Sequence, residues 1–304
     1  MAALATDQVG PVEVPSSSQT TRHRAQHDMN YYLTAGLEGV ERREYHSIRS
    51  FSKAIDSLHD EFDSGNWSAG QYLVFVSVTH EHLANIHHLR EIRRRHRGIG
   101  IMYLKSEEVL VVKVIPSVLT ERTHLGFGSM LHRKTTKMGL RHGLCPAGRT
   151  TFEGIIGQKE ADSTFQAECR MMAADWPTIV FECGLSQSLE RLRVDSRWWL
   201  ENSAEVNIVL LFALSRANKG IHLEQWEVLT APNSRVNGAQ PDPLSMVLTK
   251  TNEIDIVEGV ATGAPLIFDF QKVFLRPPVL GEGDIVFSAQ KLEIWAAHTW
   301  AGIE

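Results

Sequence analysis

Two carboxylates stand beside apolar segments of this chain and could together do metal chemistry. Asp162 precedes the segment STF, and Glu182 closes the apolar run PTIVFE. A charged group at the end of an apolar strand is costly to bury unless it has a partner. Carboxylate oxygens are the ligands that Mg²⁺ and Mn²⁺ prefer. The pattern therefore predicts a divalent metal ion shared by Asp162 and Glu182, with a pair of surface carboxylates at strand ends as the alternative.

The elements that must position these acids follow one another from residue 117. Residues 117–143 are polar with apolar residues at helical spacing, and three strand-like segments follow: TTFEGIIG, ADSTF and PTIVFE. A helix from about Ser188 to Glu201 and the strand EVNIVLLFAL complete the order helix, three strands, helix, strand. IHLEQWEV is expected to add an antiparallel strand. Upstream, GIGIMYL and VLVVKVI predict a hairpin.

The first hundred residues have a different texture. Residues 1–28 are rich in Ser, Thr, Pro and Gln without periodicity, which predicts a disordered tail. Residues 29–97 carry apolar residues at helical spacing and are predicted to form a helical N-terminal extension. Within it, residues 71–78 fit either a short strand or the start of a buried helix. Residues 98–304 are predicted to form the α/β domain that holds the acid pair.

Composition narrows the class of protein. The 304 residues are 43% hydrophobic and 22% charged, enough for a substantial core. The longest apolar run, 208–214, is too short to cross a bilayer. The N-terminus lacks a signal-peptide pattern, and three cysteines form no CxxC pair, so we expect an intracellular protein of the cytoplasm or nucleus. The net charge of -5 argues against a wholly basic nucleic-acid coat protein.

The order of elements and several motifs resemble the PD-(D/E)XK restriction-endonuclease-like superfamily, and more narrowly a group of uncharacterised fungal proteins assigned to it. The likeness extends from about residue 98 to residue 302. Its motifs are ADSTF, WPTIVFECGLSQSLERLRVDSRWWLENS and GAPLIFDFQKVFLRPPVLGEGDIVFSAQKLEIWA. The resemblance implies an αβββαβ core, a mixed sheet flanked by helices.

The resemblance also implies an activity, the Mg²⁺- or Mn²⁺-dependent hydrolysis of phosphodiester bonds in DNA or RNA. Asp162 and Glu182 match the metal-binding acids, and Glu121 matches a third acid in the first helix. The alternative for Glu121 is an ordinary solvated helix residue. Homodimers are common in the superfamily, so the resemblance admits one here.

One motif position departs from the superfamily pattern. Gly184 stands where a lysine is expected, two residues after Glu182. Arg193 and Arg197 lie four apart on the following helix and could take its place at the acid pair, or could simply solvate that helix. Arginine clamps phosphate but cannot act as a base. Two hypotheses result: an active nuclease, or an inactive nuclease-fold protein that binds nucleic acid or protein.

The remaining polar clusters carry weaker signals. Arg90, Arg93, Arg94 and Arg95 belong to the run REIRRRHR, which fits a solvated helix end, a phosphate-contacting patch or a nuclear-import signal. The histidines of HEHLANIHHLREIRRRH lack the spacing of a zinc site. Arg191 and Asp195 are expected to form an ion pair on the helix surface. Trp198 and Trp199 are expected to pack in the core. A third function, protein interaction through the N-terminal helices, stays open.

Overall fold

The computed structural model describes residues 28–67, 70–92, 98–115, 118–172, 174–231 and 245–303. The predicted disordered tail, residue 28 excepted, lies outside these residues. The helices are α1 (Met29–Thr34), α2 (Ile48–Asp63), α3 (His80–Ile92), α4 (Val118–Lys137), α5 (Leu189–Asn202), α6 (Phe270–Phe274) and α7 (Ala289–Trp300). The strands are β1 (Arg42–Glu44), β2 (Tyr72–Val76), β3 (Ile99–Leu104), β4 (Val109–Val114), β5 (Leu144–Pro146), β6 (Thr151–Glu153), β7 (Gly157–Glu160), β8 (Ser163–Ala167), β9 (Ile179–Leu185), β10 (Ile208–Ser215), β11 (Gly220–Ala231), β12 (Ser245–Val257), β13 (Val260–Thr262), β14 (Leu266–Phe268) and β15 (Ile285–Phe287).

In the described residues these strands form two large mixed sheets and one small sheet. The six-stranded sheet has the order β1-β2-β4-β3-β7-β6, and the seven-stranded sheet has the order β13-β12-β11-β10-β9-β8-β5. Strands β14 and β15 pair separately. The protein is therefore α/β, with helices packed on mixed sheets.

Side-chain alternation places the helices in layers. On β10, Ile208, Leu210 and Phe212 point towards α4 and α7, whereas Val209 and Leu211 point towards α5. Successive strand residues face opposite sides of a sheet, so an unbroken apolar run suits a strand covered on both faces. Helix α5 lies between the two large sheets, and α2 with α3 covers the far side of the six-stranded sheet. The layer between the sheets is where the candidate site lies.

The N-terminal region corrects one prediction. Residues 29–92 form helices α1 to α3, but they also contain β1 and β2. Strand β2 pairs with β4, so one sheet crosses the boundary predicted at residue 98. The segment whose type the sequence left open is a strand because Val74 and Phe75 are both buried, on opposite faces of that sheet. The predicted helical extension is thus a mixture of helices and strands.

The predicted hairpin is confirmed as β3 and β4, which pair as antiparallel strands. The predicted antiparallel strand IHLEQWEV is confirmed as part of β11, beside β10. The segment expected to supply the first of three consecutive strands instead forms β6 and β7, which belong to the other sheet. In the seven-stranded sheet the chain runs α4, β5, β8, β9, α5, β10, with the β6–β7 hairpin inserted. Strand β5 was missed because it has only three residues and contains Pro146.

Candidate functional site

Asp162 and Glu182 lie side by side on neighbouring strands. Strands β8 and β9 are antiparallel, with Ser163 opposite Phe181, which brings the residue before β8 next to the middle of β9. Asp162 Oδ2 accepts a hydrogen bond of 2.7 Å from the backbone N–H of Cys183. Glu182 was expected at the end of its strand, but β9 continues to Leu185 and the glutamate is fully buried. The acid pair predicted from the sequence is therefore assembled, but in the protein interior.

Two lysines of the six-stranded sheet reach across the layer to these carboxylates. Lys113 Nζ on β4 lies 2.9 Å from Asp162 Oδ2 and 2.7 Å from Glu182 Oε2. Lys159 Nζ on β7 lies 3.1 Å from Glu182 Oε1. Each of these four side chains is at most 5% exposed. A lysine thus contacts both acids, although it comes from a different sheet and not from position 184.

The sequence carries a signal for Lys113. The residue interrupts the apolar run VLVVKVI, where a lone cation is as costly to bury as Glu182 is in its own strand. Both residues require a buried partner of opposite charge, and each supplies the other. Lys159 gave a weaker signal because β7 is a short strand with mixed polarity.

The structure also explains why position 184 holds no lysine. A Cβ atom at Gly184 would lie 2.9 Å from Gln71 Oε1 and 3.4 Å from the methyl groups of Leu192. The Gln71 side chain is itself fixed, since its Oε1 accepts a 2.7 Å hydrogen bond from the backbone N–H of Leu185. Position 184 has no room for a longer side chain unless Gln71 moves.

Helix α5 supplies two further contacts to the site. Trp199 Nε1 donates a 2.8 Å hydrogen bond to Glu182 Oε1, and Asp195 Oδ1 lies 2.8 Å from Lys159 Nζ. The expected packing role of Trp198 and Trp199 is confirmed, since both side chains are fully buried. Glu182 is therefore surrounded by two ammonium groups and one indole N–H.

The predicted surface pair of Arg191 and Asp195 is wrong. Arg191 is fully buried and donates to the backbone oxygen of Tyr32 at 2.7 Å and of Ala35 at 3.3 Å. It thereby holds the end of α1 against the core. Asp195 is also buried and pairs with Lys159 instead. The helical spacing suggested a pair, but both residues lie on the covered side of α5.

The burial and charges of the site move its pKa values in different directions. Burial alone would raise the pKa of Asp162, but Lys113, Arg149 and His124 hold it well below its ordinary value. Burial likewise would lower the pKa of Lys113, but Asp162 and Glu182 raise it well above the usual range. Burial raises the pKa of Glu182 in spite of the two lysines. Lys113 is therefore protonated at neutral pH, so it can stabilise negative charge but cannot act as a base.

Two partly exposed side chains, Arg149 and Glu121, lie between the buried Asp162 and the solvent. Arg149 Nη2 lies 3.7 Å from Asp162 Oδ1 and 3.5 Å from Glu121 Oε1. Arg149 is 19% exposed and Glu121 is 47% exposed, whereas Asp162 is covered. The buried His124 ring completes this side, with Nδ1 2.8 Å from Ser163 Oγ. The structure thus brings the third predicted acid close to the first, with a guanidinium group between them.

Arg193 and Arg197 do not reach the acid pair. Arg193 makes two hydrogen bonds to Glu224 on β11, the shorter being 2.6 Å, and Arg197 Nε donates to Glu201 at 2.6 Å. Residues two apart on a helix face different directions, so Arg193 points away from the side that carries Asp195. Both arginines line a separate cavity of about 510 Å³. The prediction that they replace the missing lysine is wrong.

Beside that cavity, three possible metal ligands of the described residues gather on the face of β11 and β12 that is turned towards α5. The ligand atoms of His222, Glu224 and Glu253 lie within 4.8 Å of one another. Cations already satisfy these carboxylates, because Arg193 is bound to Glu224 and Lys250 Nζ lies 2.5 Å from Glu253. The cluster is therefore an ion-pair network.

Of the four arginines predicted to contact nucleic acid, the structure describes Arg90. Arg90 donates to both oxygens of Glu160 at 2.6 and 2.7 Å and to the backbone oxygen of Ile99 at 2.8 Å. Both side chains of this pair are largely buried, so Arg90 ties α3 to the six-stranded sheet. Arg93, Arg94 and Arg95 lie outside the described residues.

No protein-family model and no curated protein matches the sequence. One similar solved structure comes from Anabaena variabilis ATCC 29413 and is described as a "putative nuclease belonging to DUF820". The two chains are 9% identical with a TM-score of 0.35, over 62% of this chain and 88% of the other. Within the described residues, no helix has the length and apolar character needed to cross a membrane.

Proposed function

We propose that the protein is a metal-dependent nuclease that hydrolyses phosphodiester bonds of DNA or RNA at the site formed by Asp162, Glu182 and Lys113. The observation that carries this proposal is the position of Lys113 Nζ, 2.9 Å from one acid and 2.7 Å from the other. Two acids and a lysine are the set that the PD-(D/E)XK resemblance leads one to expect. The lysine missing from the motif has a spatial substitute.

The path of the chain supports the same proposal. The order α4, β5, β8, β9, α5, β10 places three antiparallel strands before a helix and a strand parallel to β9. This is the sequence of elements that an αβββαβ core requires, and the acids lie on its second and third strands or at their start. We therefore regard the β6–β7 hairpin, which carries Lys159, as an insertion in a restriction-endonuclease-like core.

The donor atoms suit Mg²⁺ or Mn²⁺. Glu121, Asp162 and Glu182 offer carboxylate oxygens only, which is the ligand type of hard divalent cations. The Arg149 guanidinium already lies between Glu121 and Asp162, so this position favours a positive charge. When bound, a divalent cation would activate the attacking water and neutralise charge on the phosphate. Glu121, Asp162 and Glu182 are the residues that would hold it.

The protein side chains then have separate tasks. Lys113 remains protonated and supplies a fixed positive charge for the pentavalent phosphate of the transition state. Lys159 and Trp199 hold the carboxylate of Glu182 in position through its Oε1 atom. The backbone N–H of Cys183 does the same for Asp162.

A specific observation favours a second candidate function, a nuclease-fold protein that binds nucleic acid without cleaving it. The central side chains are almost fully buried, and the three acids Asp162, Glu182 and Asp195 are matched by Lys113, Lys159 and Arg149. A buried network in which positive and negative charges balance can act only to favour one folded structure over others, without any role in catalysis. In this case the site would not open to a metal ion.

Calorimetric titration with Mg²⁺ and Mn²⁺ separates the two candidates. We expect the wild-type protein to bind metal and both Glu121→Gln and Asp162→Asn to lose most of the binding. The matched control is the His222→Gln/Glu253→Gln double variant, which removes two ligands of the other cluster and should bind metal as the wild type does. A folded wild-type protein that binds neither ion would contradict the nuclease and leave the binding protein.

A further inference from the structure

Helices α4 and α7 border a groove of about 810 Å³ on the outer side of the seven-stranded sheet. Gly126 and Trp295 are among its lining residues. The two helices approach closely there, because a Cβ atom at Gly126 would lie 3.4 Å from Trp295 Nε1. Leu125 and Ile294 border the groove with exposed fractions of 57% and 45%. Close packing of α4 against α7 thus shapes the groove, and apolar side chains form part of its lining.

The rim of this groove is strongly cationic. Five of the lining residues are Lys or Arg and one is an acid, in a protein whose net charge is -5. The cations are Arg122, Arg133, Lys134, Lys137 and Lys291, and the acid is Glu121. The pKa of Lys134 is lowered first by burial and then by the like charges of Lys137 and Lys291. These cations repel one another.

Carboxylates do not compensate this charge. Among the described residues, none lies within ion-pair distance of Arg133, Lys134, Lys137 or Lys291. Arg133 donates to Ser129 Oγ at 3.0 Å, and the ammonium group of Lys134 lies 5.3 Å from the Phe287 ring centroid. By contrast, Arg90 and Arg193 are paired with buried glutamates. Uncompensated cations along one groove create a local positive potential that favours an anionic partner.

One end of the groove meets the candidate active site. Glu121 lines the groove and also lies 3.5 Å from Arg149, which in turn lies 3.7 Å from Asp162. From Glu121 to Lys137 the axis of α4 extends for about 24 Å at the usual helical rise. Arg122 lies beside Glu121, and Arg133, Lys134 and Lys137 lie about 18 to 24 Å further along α4. A nucleic-acid strand that contacts these cations through its phosphates therefore extends to the acids.

We infer that the α4–α7 groove binds the phosphate backbone of nucleic acid and leads it to Glu121 and Asp162. This inference rests on the proposed function and deepens it by placing the substrate. Backbone contact is favoured over base stacking because Trp295 is buried and its Nε1 donates to the backbone oxygen of Thr123 at 3.2 Å. Lysine and arginine contacts to phosphate carry little sequence information, so the groove binds without strong sequence preference.

The test uses the Lys134→Gln/Lys137→Gln/Lys291→Gln variant of the full chain. Binding of labelled single- and double-stranded DNA and RNA is followed by fluorescence anisotropy in EDTA, which removes metal ions and any cleavage. The slope of log K against log salt, between about 50 and 200 mM, counts the phosphate contacts. The matched control is Lys53→Gln/Lys105→Gln/Lys219→Gln, which removes the same charge from exposed lysines outside the groove.

We expect the groove variant to bind at least about tenfold more weakly at the lowest salt and its slope to be shallower by about two to three, whereas the control keeps the wild-type slope. Wild-type affinity and slope in the groove variant would overturn the inference. If Asp162→Asn still abolishes cleavage in that case, the proposed nuclease stands and only the groove fails. A wild-type protein that neither binds nor cuts nucleic acid removes both proposals. Groove-dependent binding to phosphatidylserine vesicles by such a protein would identify a lipid surface instead and contradict the inference.

Discussion

Lys113 of the six-stranded sheet lies 2.7 Å from Glu182 of the seven-stranded sheet, and both side chains are buried. This ion pair joins the two large sheets through the layer that also holds Asp162. The partners are 69 residues apart in the chain. The contact stabilises the packing of the two sheets, and in the proposed nuclease it also holds the Lys113 ammonium group at the acids. Substitutions can measure these two effects separately.

Replacement of Lys113 by methionine should destabilise the fold strongly. The change leaves Asp162 and Glu182 side by side without the ammonium group that contacts both. Breaking a buried pair from one side costs about 3–5 kcal/mol in free energy of unfolding. Urea denaturation measures this value, with Lys105→Met, an exposed turn residue, as the control. Adding Asp162→Asn to Lys113→Met should recover part of the loss; equal loss in the single and double variants would contradict the pairing.

The depressed pKa of Asp162 predicts a specific acid dependence of stability. Its pKa in the folded protein lies well below its ordinary value, so ionised Asp162 stabilises the fold above pH of about 4. That stabilisation is lost as the pH falls from about 4 towards the folded-state pKa. As the pH is lowered from about 5 to about 2, the free energy of unfolding should therefore fall more steeply for the wild-type protein than for Asp162→Asn. Parallel profiles for the two proteins would show that Asp162 is not held ionised by its neighbours.

Restoring the motif lysine should harm the protein. Gly184→Lys places a side chain where Gln71 Oε1 lies 2.9 Å from the new Cβ atom, and Gln71 loses its bond to Leu185. Overpacking of this kind costs about 1–3 kcal/mol. Thermal unfolding compares Gly184→Lys and Gly184→Ala with Gly283→Ala, a glycine without any atom of another residue close to its Cβ position. A stabilised or more active Gly184→Lys variant would refute this account of the missing lysine.

Arg193 should matter for stability and not for metal binding. Its guanidinium pairs with the buried carboxylate of Glu224 on β11 and points away from the side of α5 that carries Asp195. Arg193→Gln leaves that carboxylate with fewer partners, and we expect a loss of about 1–2 kcal/mol, since Arg193 is itself partly exposed. Metal affinity by calorimetry should stay at the wild-type value. A weaker metal affinity would instead connect Arg193 with the acid pair.

The sequence was sufficient to predict the local parts of this site. The apolar run before Glu182 and the resemblance of its motifs to the PD-(D/E)XK pattern joined it with Asp162. The two lie side by side because β8 and β9 are consecutive antiparallel strands. Lys113 could not be assigned by the same means, since its contact depends on how two sheets pack. The prediction that Arg193 lies at the acid pair was wrong for a related reason. Helical spacing shows which residues share a face of the helix, but it does not show which face is turned towards the acids. From the sequence alone, glycine in place of lysine at position 184 suggested a possible loss of activity. The structure shows that Gln71 occupies the space that a side chain at this position would need.

Cleavage of labelled DNA and RNA in Mg²⁺ or Mn²⁺ tests the central claim most directly. Wild-type protein, Asp162→Asn and Lys113→Met would be compared under conditions where circular dichroism shows that all three are folded, with EDTA as the blank. We predict that the wild-type protein cuts at least one of these substrates, that Asp162→Asn does not, and that Lys113→Met loses about a hundredfold or more in rate, as removal of a group that stabilises transition-state charge does. Full activity of Lys113→Met would contradict the role assigned to this lysine, and absence of cleavage by the wild-type protein would contradict the nuclease itself.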